Sequence, residues 1–578
     1  MAFLLVTNGL DVLTPLVLKQ AIDLISAANL SEGNPTGLLA LTVKYFAILT
    51  GLAMSRFGWR IYFNRYHTLS AEDLRNRMFK KLNELTPAYF NKAPVGELMS
   101  LCISDVQSFR GAIGSAVLIL VDGLVLISFL LPLMIYLNWH WSIVTLIFFP
   151  AVPFLIHWVT KQIFTRYKHQ QDQLAALSAF SAELVNGIRV IKSFVLEKLK
   201  LSDYNRLSRD YEIASNRTMQ VDALFDPIMD LGMASAVVIL VFVAGKDVIA
   251  GAASIGTVVA FQSYLRKLKW PMTAMGFGLS QYKKGMASFE RIKELLYNNE
   301  ITADQGHQVA DEFSTLQAVN LSFKYEQSRP EILKNLNFKI ERGQVLGVIG
   351  PVGSGKSTLA LLITRLYQDW SGDLLLNGQD IRSFTLASVR KLITLVPQDP
   401  FLFSDSVANN LSPLAKPEHL ADFANMADIQ NEILELPSQY QTTLGERGVN
   451  LSGGQKQRLC LARGLANHAQ NHGNHSGQLL ILDDTLSAVD QLTEQRIIKN
   501  LAQLKNQGST IIIVSHRLSV LSEVDVLMVL KEGSIEAIGT PVELATTSPT
   551  YKNLLKIQED HSAKDKATAS LQTEVVTS

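Results

Sequence analysis

From Trp141 to Thr160 the chain carries no Asp, Glu, Lys or Arg. About 20 such residues let a helix cross a hydrocarbon core of roughly 30 Å, and in that core only helices or closed barrels satisfy every backbone amide. Residues 111–139 hold Asp122 as their single charge, and Pro227–Gly245 and Val248–Leu265 form a second pair, the latter running on towards Ser280. Ala2–Leu18, continuing to Ile25, and Leu38–Met54 are apolar stretches interrupted by Asp11 and Lys44. The expected first half is a membrane α-helical bundle of six spans. Charged residues make up only 18% of the chain, which fits a membrane portion. The net charge of +1 offers no footprint for nucleic acid. Cys102 and Cys460 fall in different halves and read as ordinary buried thiols rather than a disulfide framework.

The connections suggest an orientation. Loops around 29–36 and 138–140 carry no Lys or Arg, whereas the segments at about 56–110 and 161–225 are rich in both. The positive-inside rule makes these long segments cytoplasmic, and with them both termini. They read as helical extensions carried well beyond the bilayer. Met1 opens almost directly into apolar sequence with no basic flank, so a signal peptide is a poor fit. The expectation is a first span that is short or cut back at its N-terminus.

Hydropathy changes after Ile292. The expected organisation is a transmembrane domain over 1–295, a polar linker over 296–313, an α/β domain over 314–560 and a disordered tail over 561–578. Within the α/β region, the apolar run Val345–Ile349 precedes Gly350-Pro351-Val352-Gly353-Ser354-Gly355-Lys356-Ser357-Thr358 and a helix-forming stretch follows. Strand, glycine-rich loop and helix together cradle phosphates, because the glycines let successive N–H groups converge on oxygen. Lys356 reaches the outer phosphates, and Ser357 can ligate Mg²⁺. Leu479–Asp483 is an apolar strand ending in a carboxylate suited to the same Mg²⁺ shell. The chain is expected to bind ATP with Mg²⁺.

Between these motifs lies Leu451-Ser452-Gly453-Gly454-Gln455, and here the soluble half resembles the ATP-binding cassette (ABC) family. The resemblance extends in order: Tyr325 matches the aromatic that stacks on adenine, and Gln398 the glutamine that contacts Mg²⁺ and senses the membrane domain. Ser487-Ala488-Val489-Asp490 matches the loop across the dimer seam, and His516 the switch histidine at the γ-phosphate. It implies two cassettes head to tail, each ATP lying between one chain's phosphate loop and the other's Ser452, Gly453, Gly454 and Gln455. Glu446-Arg447-Gly448 resembles the stretch that touches the cytoplasmic loops, while Pro87–Leu98 and Ile191–Phe194 with Glu197 resemble the coupling segments of type I exporter half-transporters. The details look closest to bacterial multidrug-resistance-like exporter subunits.

Three departures matter. Asp484 stands where the family's general base is normally Glu, so its carboxylate falls back by somewhat over 1 Å, a scale that costs on the order of 10²-fold in rate. The implication is a slow site on this chain and a heterodimer whose other half-transporter carries the catalytic Glu. Second, His468, His472 and His475 lie in an extended segment whose composition is that of a solvated loop rather than a metal site. Third, Gln262, Arg266, Lys269 and Thr273 share a helical face. They line a path for anionic or amphipathic cargo, or else pair with Asp226 and Asp230.

The expected function is a subunit of an ATP-driven exporter. It would move small hydrophobic or amphipathic compounds, drugs or lipids, across the bacterial cytoplasmic (inner) membrane. The alternatives are a homodimeric lipid or lipid-A flippase and a non-pumping ATP-binding regulatory membrane protein.

Overall fold

Apolar residues run without strand-like alternation through the first half of the chain, and they form helix. The computed structural model describes residues 2–28, 35–147, 151–302, 304–326, 330–412, 417–445, 448–470, 477–521 and 523–556. The chain divides into two units, Met1–Asn83 with Val95–Asn298, and Glu84–Pro94 with Asn299–Ser578.

The first unit is helical. Its Pro35–Glu84 helix has 50 residues, about 75 Å at 1.5 Å each, so it outruns any bilayer. Ala151–Asn186 and Glu197–Asp222 form the second long extension. Among the described residues four helical stretches are long and apolar enough to cross a membrane: Ala2–Ser26, Thr36–Glu84, Val95–Leu137 and Glu197–Ile249. The expected span Trp141–Thr160 crosses residues 148–150, which lie outside the described residues. The last expected span is divided, with one helix over Ile255–Lys267 and another over Lys269–Leu296. Pro271 explains the break. It has no N–H to bond the Lys267 carbonyl four residues back, and its ring crowds that carbonyl.

Trp141, Phe261, Tyr264, Leu265, Leu130 and Leu240 pack the bundle's core. Leu39, Phe46, Met54 and Phe242 stand exposed, a cost in water but none against hydrocarbon. Several charges within the apolar runs have partners. Asp11 meets Lys267 at 2.8 Å, and Asp122 accepts from Asn8 Nδ2 at 2.9 Å. Lys269 meets Asp230 at 2.5 Å and Asp226 at 3.8 Å, so pairing accounts for one of the two cations of the suggested cargo face. Arg266 is exposed and Gln262 half-buried; the Thr273 side chain lies outside the described set.

The second unit holds two sheets. Its strands are β1 (Thr315–Phe323), β2 (Leu333–Glu341), β3 (Val345–Ile349), β4 (Trp370–Leu376), β5 (Gln379–Asp380), β6 (Ile393–Val396), β7 (Leu479–Asp483), β8 (Thr510–Val514), β9 (Val526–Lys531) and β10 (Ser534–Gly539). An antiparallel sheet runs β2-β1-β4-β5. The larger sheet runs β10-β9-β3-β8-β7-β6, parallel except for β10. β3, β7 and β8 are buried along their whole length, which is why they are dominated by Val, Ile and Leu rather than alternating with polar residues.

Glu84–Pro94 is stitched to this unit. Leu85 bridges Ile301 in antiparallel fashion, Thr86 N–H donates to Glu300 O at 2.9 Å, and Thr302 N–H donates to Glu84 O at 2.8 Å. Lys92 pairs with Glu300 at 3.4 Å, and Asn91 Nδ2 donates to the Tyr367 hydroxyl at 2.9 Å.

Candidate functional site

Neighbouring parallel strands end side by side, so whatever follows each carboxyl end is gathered along one edge of the sheet. After β3 comes the phosphate loop, after β8 His516, after β7 Asp484, and after β6 Gln398. Residues more than a hundred positions apart in the chain are thereby brought to one edge.

The loop's geometry requires its glycines. Gly353 and Gly355 have φ of 82° and 98°, in the left-handed region that side chains avoid. Gly350 leaves no room for a Cβ, which would sit 2.1 Å from Leu530 O. Gly355 then caps the helix Lys356–Ile363, whose free amides and dipole suit an anion. Lys356 is buried, and its Nζ donates to Gly350 O and Pro351 O, each at 2.9 Å. Burial holds the ammonium below the ordinary lysine value, while Asp483 and Asp484 pull it back up.

Ser357 Oγ donates to Asp483 Oδ1 at 3.1 Å, so the two expected Mg²⁺ ligands meet. Burial raises Asp483 above the usual carboxylate range, opposed by that hydrogen bond. Gln398 Nε2 donates to Asp484 Oδ2 at 3.2 Å, which leaves the Gln398 carbonyl oxygen for a cation. Ser357, Asp483 and Gln398 thus offer hard oxygen donors of the kind Mg²⁺ takes. Asp484 is only 8% exposed and sits at a φ of 49°, with its N–H bonded to Val514 O at 2.8 Å. His516 stands exposed at this edge, its ring held below the ordinary histidine value by partial desolvation and by Lys356, with Asp484 and Asp483 opposing.

Tyr325 lies beside the helix that follows the loop, its hydroxyl 2.9 Å from Thr358 Oγ1. It packs edge-on against Phe323 and Tyr367, both at 5.0 Å between centroids. Tyr367 was not foreseen, because nothing near it in the chain marks it. It links the aromatic cluster to Asn91.

Ser452–Gln455 is a helix start. Ser452 Oγ accepts from Gln455 N–H at 3.2 Å, and Gln455 Oε1 accepts from Ser452 N–H at 2.8 Å, a reciprocal cap on Gly453–Gln470. Among the described residues no hydrogen bond joins this signature to the phosphate loop. Glu446 and Arg447, like His472 and His475, lie outside the described residues. His468 is buried on the helix, its Nε2 3.0 Å from Ser509 Oγ.

Comparison with known proteins agrees with this geometry. Residues 1–272 match the ABC transporter transmembrane region, and residues 333–487 match the ABC transporter family. The multidrug resistance-like ATP-binding protein MdlA of Escherichia coli (strain K12) is 32% identical, over 98% of this chain and 95% of that one. An ATP-dependent lipid A-core flippase of Aromatoleum aromaticum is 30% identical over 94% of this chain and 88% of its own length. Among solved structures, a bacterial Atm1-family ABC exporter with ATP bound shares the fold, with a TM-score of 0.77 at 24% identity over 96% of this chain and 98% of that one. Transmembrane helices and an ATP-binding cassette thus follow one another in a single polypeptide, and the chain belongs to the ABC transporter family.

Proposed function

We propose that this chain is one half of an ATP-driven exporter of hydrophobic or amphipathic compounds, with a slow ATP site on its own phosphate loop and a different half-transporter as its partner. The observation that carries the slow-site reading is Asp484. Its carboxylate, one methylene shorter than the family's Glu, accepts a hydrogen bond from Gln398 Nε2 at 3.2 Å. Ser452–Gln455 opens the helix Gly453–Gln470, and its helix N-terminus suits a phosphate presented by a facing chain.

In this reading Gly350–Thr358 and Tyr325 hold ATP, and Lys356 leaves its two carbonyls for the outer phosphates. Ser357, Asp483 and Gln398 hold Mg²⁺, which when bound neutralises phosphate charge. His516 orients the γ-phosphate, and Asp484 polarises water weakly. Ser452–Gln455, with its helix dipole, completes the partner's site. Six spans, a bacterial inner-membrane location and cytoplasmic termini complete the proposal, supported by the charge distribution of the loops. Relatives named for multidrug resistance support a drug-like cargo. Relatives named as lipid A-core flippases favour a second reading, a homodimer that moves lipid.

The test is the mass of the complex purified from its native membrane, followed by ATP-dependent uptake of a fluorescent amphipathic dye into inverted vesicles. A one-to-one complex with a second exporter-like chain is expected. A dimer of this chain alone overturns the slow-site pairing, because Asp484 then serves both sites.

A further inference from the structure

The loop Ser487–Asp490 is gripped from two sides. Gln457, on the signature helix and buried, donates from Nε2 to Ser487 Oγ at 3.1 Å and accepts from Ala488 N–H at 3.0 Å. From the other side Arg517, the residue after His516, donates from Nη1 to Val489 O at 2.9 Å and from Nη2 to Ser487 O at 2.6 Å. The Arg517 N–H is bonded to Ser515 Oγ at 3.0 Å, which fixes the start of the same turn. Its guanidinium also pairs with Glu494, a carboxylate almost wholly buried and shared with Ser519. The loop touches the remaining motifs too. Ser487 Oγ donates to Asp484 O at 2.9 Å, and a Cβ on Gly454 would lie 2.8 Å from Ala488 O, so the signature's second glycine is backed by the loop.

These contacts are specific. A guanidinium is a rigid planar fork, and here it spans two carbonyls two residues apart while holding a carboxylate; lysine, a single point of charge, cannot do this. The Gln457 amide uses both its donor and its acceptor on adjacent residues, and a satisfied buried network of this kind leaves a loop few alternative positions. A charge partner for Glu494 would need neither carbonyl contact.

We propose that Arg517 and Gln457 are positioning residues. They hold Ser487–Asp490 as a stiff bridge between the switch at His516 and the signature helix, so that the state of this chain's own phosphate site reaches the signature that completes the facing chain's site. This rests on the paired-cassette reading given above. Loosening either grip lets the signature drift relative to the facing phosphate, which lowers turnover and leaves nucleotide binding on the phosphate loop in place.

The experiment uses the assembled transporter carrying Gln457→Leu, Arg517→Lys or both, with kcat and KM for MgATP, binding of a fluorescent ATP analogue, and melting temperature. Misplacement on the scale of 1 Å predicts a fall in kcat of about 10- to 100-fold with KM and analogue binding nearly unchanged. The combined variant should be no worse than the worse single, because both cuts free one loop. Arg517→Leu with Glu494→Leu removes both members of the ion pair together. It should restore the melting temperature and not the turnover. Unchanged kcat in the folded single variants overturns the proposal, as does full recovery in the double-Leu variant, which would make Arg517 only a counter-charge. A native mass of one chain would instead remove the paired-cassette reading itself, and is scored separately.

Discussion

Replacing Asp484 by Glu tests the slow site most directly. The change adds one methylene and advances the carboxylate by about 1 Å, and a displacement of that size is worth on the order of 10²-fold in rate. At about 1.4 kcal/mol per tenfold, the barrier should fall by up to roughly 2.7 kcal/mol. Crowding opposes this, since Asp484 is 8% exposed and an extra methylene in filled space costs about 1–3 kcal/mol. That cost falls on stability to the extent that the Gln398 amide, bonded to the Asp484 carboxylate at 3.2 Å, yields to the longer side chain. A rise of about 10- to 100-fold at this chain's own site is therefore expected, with a modest loss of melting temperature. The assay is vanadate-dependent trapping of a photoreactive ATP analogue, scored on this chain within the assembled transporter. Should Asp484→Glu leave trapping unchanged while Asp484→Asn abolishes it, aspartate is already a competent base and the reasoning fails.

Lys356→Ala removes a buried ammonium whose hydrogen bonds to charged oxygens are worth about 1.5–3 kcal/mol, so ATP should bind about 10- to 100-fold more weakly by equilibrium titration. Asp105 is buried and takes two bonds from Arg291 and one from Ser288 at 2.8 Å. Asp105→Asn should therefore cost about 2–3 kcal/mol, discounted because Arg291 is half exposed, and lower the melting temperature by several degrees. Arg266→Gln should reduce transport of an anionic dye relative to a neutral one. Lys269→Gln should leave that ratio unchanged, because Asp230 already holds the Lys269 charge. Equal effects of the two substitutions would return both cations to the cargo path.

Much of the nucleotide site was legible because its chemistry is local. Phosphate cradling needs a strand, a glycine turn and a helix in immediate succession, and Gly350–Thr358 supplies them within one stretch of chain. The reciprocal cap at Ser452 and Gln455 is likewise written at its own spacing, three residues apart. The break at Leu268 was not read from the sequence, where the last span ran on towards Ser280; Pro271 accounts for it. Apart from Ser357 and Asp483, joined by the family's motifs, contacts between distant residues were not fixed by the sequence. Lys269 was left between cargo and a counter-charge until folding set it beside Asp230, 39 positions away. Asn91 meets Tyr367 across 276 positions, and Arg517 and Gln457 close on Ser487 across about 30. Such pairs have no spacing to betray them.

That the chain has a membrane half and an ATP-binding half follows from local sequence, because hydropathy and phosphate chemistry act on contiguous residues. Which charges neutralise one another, and which side chains grip Ser487–Asp490, emerge only on folding. Those choices depend on where strands and helices come to lie against each other, a property of the whole folded chain that no single stretch of it contains.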